Sequence, residues 1–242
     1  MPTASVQSRL AKRRCSRASG AAWLACTAWF ALAGQKAVAA HELRCDESAI
    51  TVHAAAPTDA NSVCAAAADA MHFLRAQGLE VNEAFEVFVV EALKPPISAS
   101  AFGGYINSER RAYLLTFAKI ATRGTVFGLP ADRTLYRSLA IHEIAHAIAA
   151  ANFRYPDPPI EADEYIAYAT MFATLPDSYR DRLLALYANA NFASESEINP
   201  LVYVLDPFRF GILAYKHFTQ PGNGAAFLRR VLNGDALREF AQ

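Results

Sequence analysis

After residue 40, the first half of the chain mixes two periodicities. Apolar and polar residues alternate over 49–57 ("AITVHAAAP") and 83–93 ("EAFEVFVVEAL"), which is typical of strands. Between them, residues 61–79 have helical spacing, and Asn61 or Ser62 is the predicted helix start. This half therefore predicts a small α/β layer.

A predicted hairpin separates this layer from a second half in which apolar residues have helical spacing almost throughout. The hairpin covers 101–117, where two apolar runs flank the polar turn "NSER". The predicted helices span 132–152, 161–175, 177–190, 198–218 with a break near Pro207, and 224–232. The pattern predicts an α+β fold. Without a repeat or long linker, we expect one domain over 41–242, with an α/β half (41–130) and a helical half (131–242).

The first 40 residues differ from the rest of the chain. A basic stretch, "RLAKRRCSR", precedes the 14-residue apolar run "AAWLACTAWFALAG", and "QKAVAAHE" places small residues before a cleavage point after Ala39 or Ala40. We predict a signal peptide over 1–40 and a secreted or periplasmic protein with no stable membrane span after cleavage. An uncleaved N-terminal anchor is the alternative.

Removing this segment changes how the cysteines and charges are interpreted. Cys45 and Cys64 remain as an even pair in an oxidising compartment, which predicts a disulfide; two buried free thiols are the alternative. Seventeen of the 23 Lys and Arg residues remain against 23 acidic residues, a net charge of −6. With no basic run, we expect no nucleic-acid partner.

The stretch "LAIHEIAHAIAA" at 139–150 carries the candidate chemistry. His142 and His146 are four residues apart, so on a helix they lie about 40° apart on one face and can reach the same ion. Glu143 lies about 60° from His146 around the helix, so its carboxylate is placed near the ion without being a ligand. This HExxH spacing supplies two nitrogen ligands and a carboxylate base for a zinc site; a buried hydrogen-bond network is the alternative.

A third ligand must come from another segment, because Ala149 and Asn152 replace the glycine and histidine of the longer HExxHxxGxxH motif. Glu161 and Glu164 share one face of the next predicted helix, and either can reach the ion. We favour Glu164, since it lies a full turn inside the helix and is held more firmly.

Two neighbours of Glu164 have expected roles of their own. Tyr168, four residues further on, is a candidate hydrogen-bond donor to a ligand. Asp163 is interpreted simply as an acid that favours a helix N-terminus.

"HEIAH" followed by "EYIAYA" resembles the gluzincin branch of the zincin metallopeptidases. The resemblance covers roughly residues 100–172 and implies a zincin-like fold with a small mixed sheet, a zinc cofactor and a peptide or protein substrate. It implies that His142, His146 and Glu164 are ligands and that Glu143 is the general base. The chain departs from the thermolysin pattern with Asp163 in place of Asn and with Tyr168 in place of Asp.

The function expected is therefore an exported zinc metallohydrolase, most simply a peptidase, in which Glu143 activates a zinc-bound water. The alternative is a non-catalytic exported module of the same fold that binds a peptide or protein. A further donor for the developing oxyanion is expected from the late helices. The candidates are Tyr203, Arg209, Tyr215 and His217, of which His217 is alternatively a core or surface residue.

Overall fold

A mixed five-stranded sheet supports the helices of this protein. The computed structural model describes residues 41–46 and 48–238, which all lie within one compact unit. The strands are β1 (His41–Arg44), β2 (Ile50–Ala54), β3 (Phe85–Val90), β4 (Gly103–Ile106) and β5 (Arg111–Leu115). Their order is β1-β2-β3-β5-β4. The three central strands are parallel, and the edge strands β1 and β4 are antiparallel to their neighbours.

The helices pack on the sheet and on one another in further layers. They are α1 (Pro57–Ala76), α2 (Phe117–Thr122), α3 (Arg133–Asn152), α4 (Ile160–Thr174), α5 (Asp177–Ala185), α6 (Pro200–Leu205), α7 (Pro207–Phe218) and α8 (Ala225–Asn233). A two-stranded hairpin, β6 (Thr125–Val126) and β7 (Leu129–Pro130), precedes α3. The helices α1 and α3 contact the sheet, α4 packs against α3, and α7 packs against α4. The predicted α+β class, with a mixed sheet and a helical second half, is confirmed.

The two faces of β3 show why this sheet forms. Phe85, Val87 and Val89 are buried, while the residues between them are partly exposed. This alternation places one face of the strand in the core and leaves the other face available for contacts between polar side chains. On the outer face, the two carboxylate oxygens of Glu86 bind the ring of His53 at 2.8 Å and the guanidinium of Arg111 at 2.9 Å.

Local sequence signals predicted most of the helices and strands, but the predicted first residue of one helix was wrong. Helix α1 begins at Pro57, not at Asn61 or Ser62 as predicted. Proline suits the first helical position because its φ angle is already helical and its missing N–H has no intrahelical partner there. The hairpin prediction is confirmed: β4 and β5 flank a short 3₁₀ turn that ends at Arg110 in a left-handed conformation (φ 54°).

The described residues also bear on the predictions about export. Cys45 and Cys64 form a disulfide that ties the end of β1 to α1, as predicted. Among residues 41–46 and 48–238, no helix combines the length and apolar character that crossing a membrane requires. The predicted signal peptide, residues 1–40, lies outside the described residues.

We expect the Cys45–Cys64 disulfide to contribute measurably to the free energy of unfolding. Its cysteines are 19 positions apart, and a loop of that size stabilises the folded state by about 3 kcal/mol through restriction of the unfolded chain. A Cys45→Ala/Cys64→Ala variant should therefore lose about 3 kcal/mol of unfolding free energy in urea. Reductant should lower the stability of the wild-type chain but not of the variant. Equal stability of the oxidised wild type and the variant would contradict this prediction.

Candidate metal centre

Helix α3 holds the HExxH residues in a rigid, buried setting. The Asp132 side chain caps the helix by accepting the Leu135 N–H at 2.9 Å, and the same carboxylate accepts a hydrogen bond from the Tyr179 hydroxyl. Glu143 and His146 expose only 6% and 7% of their surface, in a helix that is buried on several sides. A firmly capped and packed helix fixes the directions of its side chains.

Three side chains converge where α3 meets α4. The Nε2 atoms of His142 and His146 are 3.1 Å apart. The Glu164 carboxylate lies 3.3 Å from His142 Nε2 through Oε2 and 3.7 Å from His146 Nε2 through Oε1. These three residues form a buried group whose ligand atoms all lie within 4.8 Å of one another, so they can hold a metal ion.

The hydrogen bonding of this group shows that it fits a cation. Glu164 Oε2 and Glu143 Oε2 are buried and have no hydrogen-bond partner among the described residues. Buried carboxylate oxygens without partners are costly, and a metal ion satisfies them. The donor chemistry is also suitable, because two imidazoles and a carboxylate form a common transition-metal set.

Asp163 has a role that the sequence analysis did not assign to it. Its Oδ2 lies 2.8 Å from His146 Nδ1. A carboxylate can only accept, so the ring donates through Nδ1, and in the neutral ring Nε2 then carries the lone pair that faces His142. The general rule that a ligand histidine donates its other N–H to a carboxylate was the available signal.

Two tyrosines contact the group in different ways. The Tyr203 hydroxyl, from α6, donates to Glu164 Oε1 at 2.7 Å. Tyr168 instead packs its ring against His142, with ring centroids 4.5 Å apart, and its hydroxyl donates to no ligand residue in the described chain. The expected hydrogen bond from Tyr168 is therefore wrong: the side chain contributes packing. Gly211 on α7 allows this, since a Cβ there would collide with the Tyr168 ring.

Glu143 lies between α3 and the edge strand β4. A Cβ on Gly103 would come within 2.7 Å of Glu143 Oε1, so the missing side chain makes room for the carboxylate. Burial disfavours the charged form and raises the pKa of Glu143 to about 6, although the histidines oppose this rise. A carboxyl group with such a pKa can both take and release a proton near neutral pH.

The electrostatics of the metal-free group favour added positive charge. Burial opposes a charged His146, but Asp163 and Glu164 outweigh burial and raise its pKa to about 10. Burial opposes a charged Glu164 too, yet the histidines and the Tyr203 hydrogen bond lower its pKa to about 2. Without a metal, His146 thus holds a proton strongly and Glu164 stays negatively charged, so a metal cation would compete with the proton on His146.

The remaining candidates lie elsewhere. Glu161 is buried but does not belong to the converging group. The Tyr165 hydroxyl lies 2.8 Å from His217 Nδ1, in a buried pair of the core. Tyr215 packs against Phe172, and Arg209 lies in the first turn of α7, where its backbone N–H donates to Asp206. Among the four proposed oxyanion donors, Tyr203 is the one that the structure brings to the metal-binding group.

Comparisons with known proteins identify a family but no activity. A family model described as a family of unknown function (DUF6639) matches residues 50–241, which include the whole candidate metal centre. No curated protein and no solved structure matches the chain.

The geometry predicts which glutamate binds metal. Glu164→Ala should weaken zinc affinity by at least about 100-fold, because it removes a converging donor and not merely a supporting contact. Glu161→Ala should leave the affinity within about threefold of wild type. Competition with a chromophoric chelator measures both, and circular dichroism checks folding. The reverse order of effects would place the ligand at Glu161.

The raised pKa of Glu143 predicts a pH dependence of the metal-free protein. A group whose folded-state pKa exceeds its unfolded value loses stabilising influence as the pH rises through the folded pKa. Glu143→Gln should thus gain stability relative to wild type between pH 4.5 and 7, by about 2 kcal/mol for a pKa near 6. Urea unfolding with a chelator present, at several pH values, tests this. A difference that does not change with pH would refute it.

Proposed function

We propose that this chain, which belongs to the DUF6639 family, is an exported zinc-dependent metallohydrolase of zincin-like fold that cleaves peptide bonds. The observation that carries the proposal is the buried convergence of His142, His146 and Glu164, with Glu143 on the same helix. A structural histidine pair has no need of an adjacent unpaired carboxylate. A hydrolytic metal site needs the metal-binding histidines and also a nearby carboxylate that can act as a base.

The donor set supports zinc as the metal. Two imidazole nitrogens and one carboxylate oxygen are a three-ligand set that zinc uses in catalytic sites, where a further position stays open. When bound, zinc polarises a carbonyl group and lowers the pKa of water at the site towards neutrality. Asp163 orients His146 for this task through Nδ1.

Glu143 is the residue we assign to proton transfer. It follows His142 directly in α3, and one of its carboxylate oxygens is buried without a partner. Its pKa of about 6 suits a group that takes a proton from water and then gives it to a leaving amine. Gly103 has no side chain, and this makes room for the Glu143 carboxylate beside β4.

The edge strand supports a peptide as the substrate. Strand β4 pairs only with β5 in the described sheet, so its other edge has free backbone N–H and C=O groups. An extended peptide binds such an edge by adding a strand. Gly103 lies on β4 and against Glu143, so a peptide aligned there would pass next to the proposed base.

The cysteines support export. The Cys45–Cys64 disulfide is a feature of proteins that fold in oxidising compartments. Together with the predicted signal peptide over residues 1–40, it favours a secreted or periplasmic location.

The proposed mechanism predicts that Glu143→Gln keeps zinc and loses hydrolysis. Removing a general base should lower the rate by about 10²–10⁴-fold, while the three metal ligands stay intact. Zinc content by atomic absorption and cleavage of a peptide library by mass spectrometry measure the two properties. Glu161→Gln, which changes a buried carboxylate outside the group in the same way, is the control. Full activity of the Glu143→Gln variant would overturn the mechanism.

One observation favours a second candidate, a non-catalytic module that holds metal and binds a partner. The side chains of His142, His146 and Glu164 expose only 12%, 8% and 10% of their surface, so access for a substrate is narrow. The same library experiment separates the two. A zinc-loaded wild-type chain that cleaves no peptide supports the module.

A further inference from the structure

The two oxygens of the Glu164 carboxylate are in different surroundings. Oε1 accepts the Tyr203 hydroxyl at 2.7 Å, whereas Oε2 has no hydrogen-bond partner and lies 3.3 Å from His142 Nε2. A carboxylate that is free on both sides can bind a metal through either oxygen or through both. Here Oε1 is already engaged by Tyr203 and lies 3.7 Å from His146 Nε2, whereas Oε2 is free and lies closer to a histidine nitrogen.

The position of the Tyr203 ring is fixed by groups outside the metal-binding group. Asn199 caps α6 by accepting the Val202 N–H at 3.2 Å. The Tyr203 ring packs edge-on against Phe210, with centroids 5.6 Å apart, and Phe210 in turn contacts Tyr168. Because packing and a cap hold the ring, its hydroxyl is positioned independently of any ion.

The rest of α6 has few other ties to the protein. None of its residues is fully buried, and Leu201, Val204 and Leu205 expose 64%, 68% and 75% of their surface. The inward-facing residues Val202 and Tyr203 pack against the core. Through Tyr203, this short helix also donates a hydrogen bond to Glu164.

We propose that Tyr203 is a positioning residue that holds Glu164 so that it binds the metal through Oε2 alone. The inference rests on the metal site put forward above, and it assigns Tyr203 a role through Glu164 and not through the substrate. Without the hydroxyl, Glu164 is free to rotate or to bind through both oxygens. Affinity then falls and the coordination geometry changes.

Metal binding by Tyr203→Phe tests this role directly. We expect zinc affinity to fall by about 10–100-fold, the usual effect of removing a partner of a metal ligand. The visible absorption of the Co²⁺-loaded protein should also change, since it depends on the number and geometry of the ligands. Wild-type affinity together with a wild-type Co²⁺ spectrum would overturn the proposal.

Tyr187→Phe is the matched control. It also removes a tyrosine hydroxyl that donates to a carboxylate, in this case that of Asp206, which directly follows α6, at 3.3 Å. If Tyr203 served only to anchor the helix, the two variants would behave alike. We expect Tyr187→Phe to keep the metal affinity and the Co²⁺ spectrum of the wild type, and a loss equal to that of Tyr203→Phe would contradict the proposal.

A double-mutant cycle covers the case in which Tyr203→Phe perturbs folding. In a Glu164→Ala background, Tyr203→Phe should cause no further loss of zinc affinity, because the residue through which it acts is absent. An equal further loss would overturn the positioning role. A folded wild-type chain that binds neither Zn²⁺ nor Co²⁺ would instead overturn the metal site itself, and this inference with it.

Discussion

The contact between α3 and α4 brings together four ionisable side chains that are largely shielded from water and a fifth, that of Asp163, which is partly exposed. Glu143, Asp163 and Glu164 face two imidazoles, so neutral histidines leave an excess of negative charge. Two charges about 4 Å apart interact by about 4 kcal/mol at the effective dielectric of such sites. Protons or a cation must balance this charge, and the surrounding structure is arranged around that need.

Several features far apart in the sequence serve this one contact. Gly103 allows β4 to approach Glu143, and Gly211 allows α7 to approach the Tyr168 ring that covers His142. The Asp132 cap secures the start of α3, one of the two helices in contact. Each removes a steric or hydrogen-bonding obstacle to burial of the polar group, and none of them is itself a donor to the ion.

The main elements and the converging residues follow from patterns local in the sequence. Helical spacing predicted α3, and the i, i+4 histidines had to share a face. Asp163, Gly103 and Tyr203 are different, because their roles depend on distances between separate elements. Asp163 also fits a simple helix N-terminus, and no periodicity connects residue 203 with residue 164. The Pro57 start of α1 was missed although it was a local signal.

The spacing of these residues along the chain has a consequence for the order in which the site assembles. His142, His146 and Glu164 lie on two successive helices joined by the short segment 153–159, so bringing them together costs little chain entropy. Tyr203 belongs to a separate helix that follows α4 and α5. Contacts close in sequence form most readily. We therefore expect the three donors to meet as α3 and α4 pair, and the hydroxyl that orients one of them to join when α6 docks.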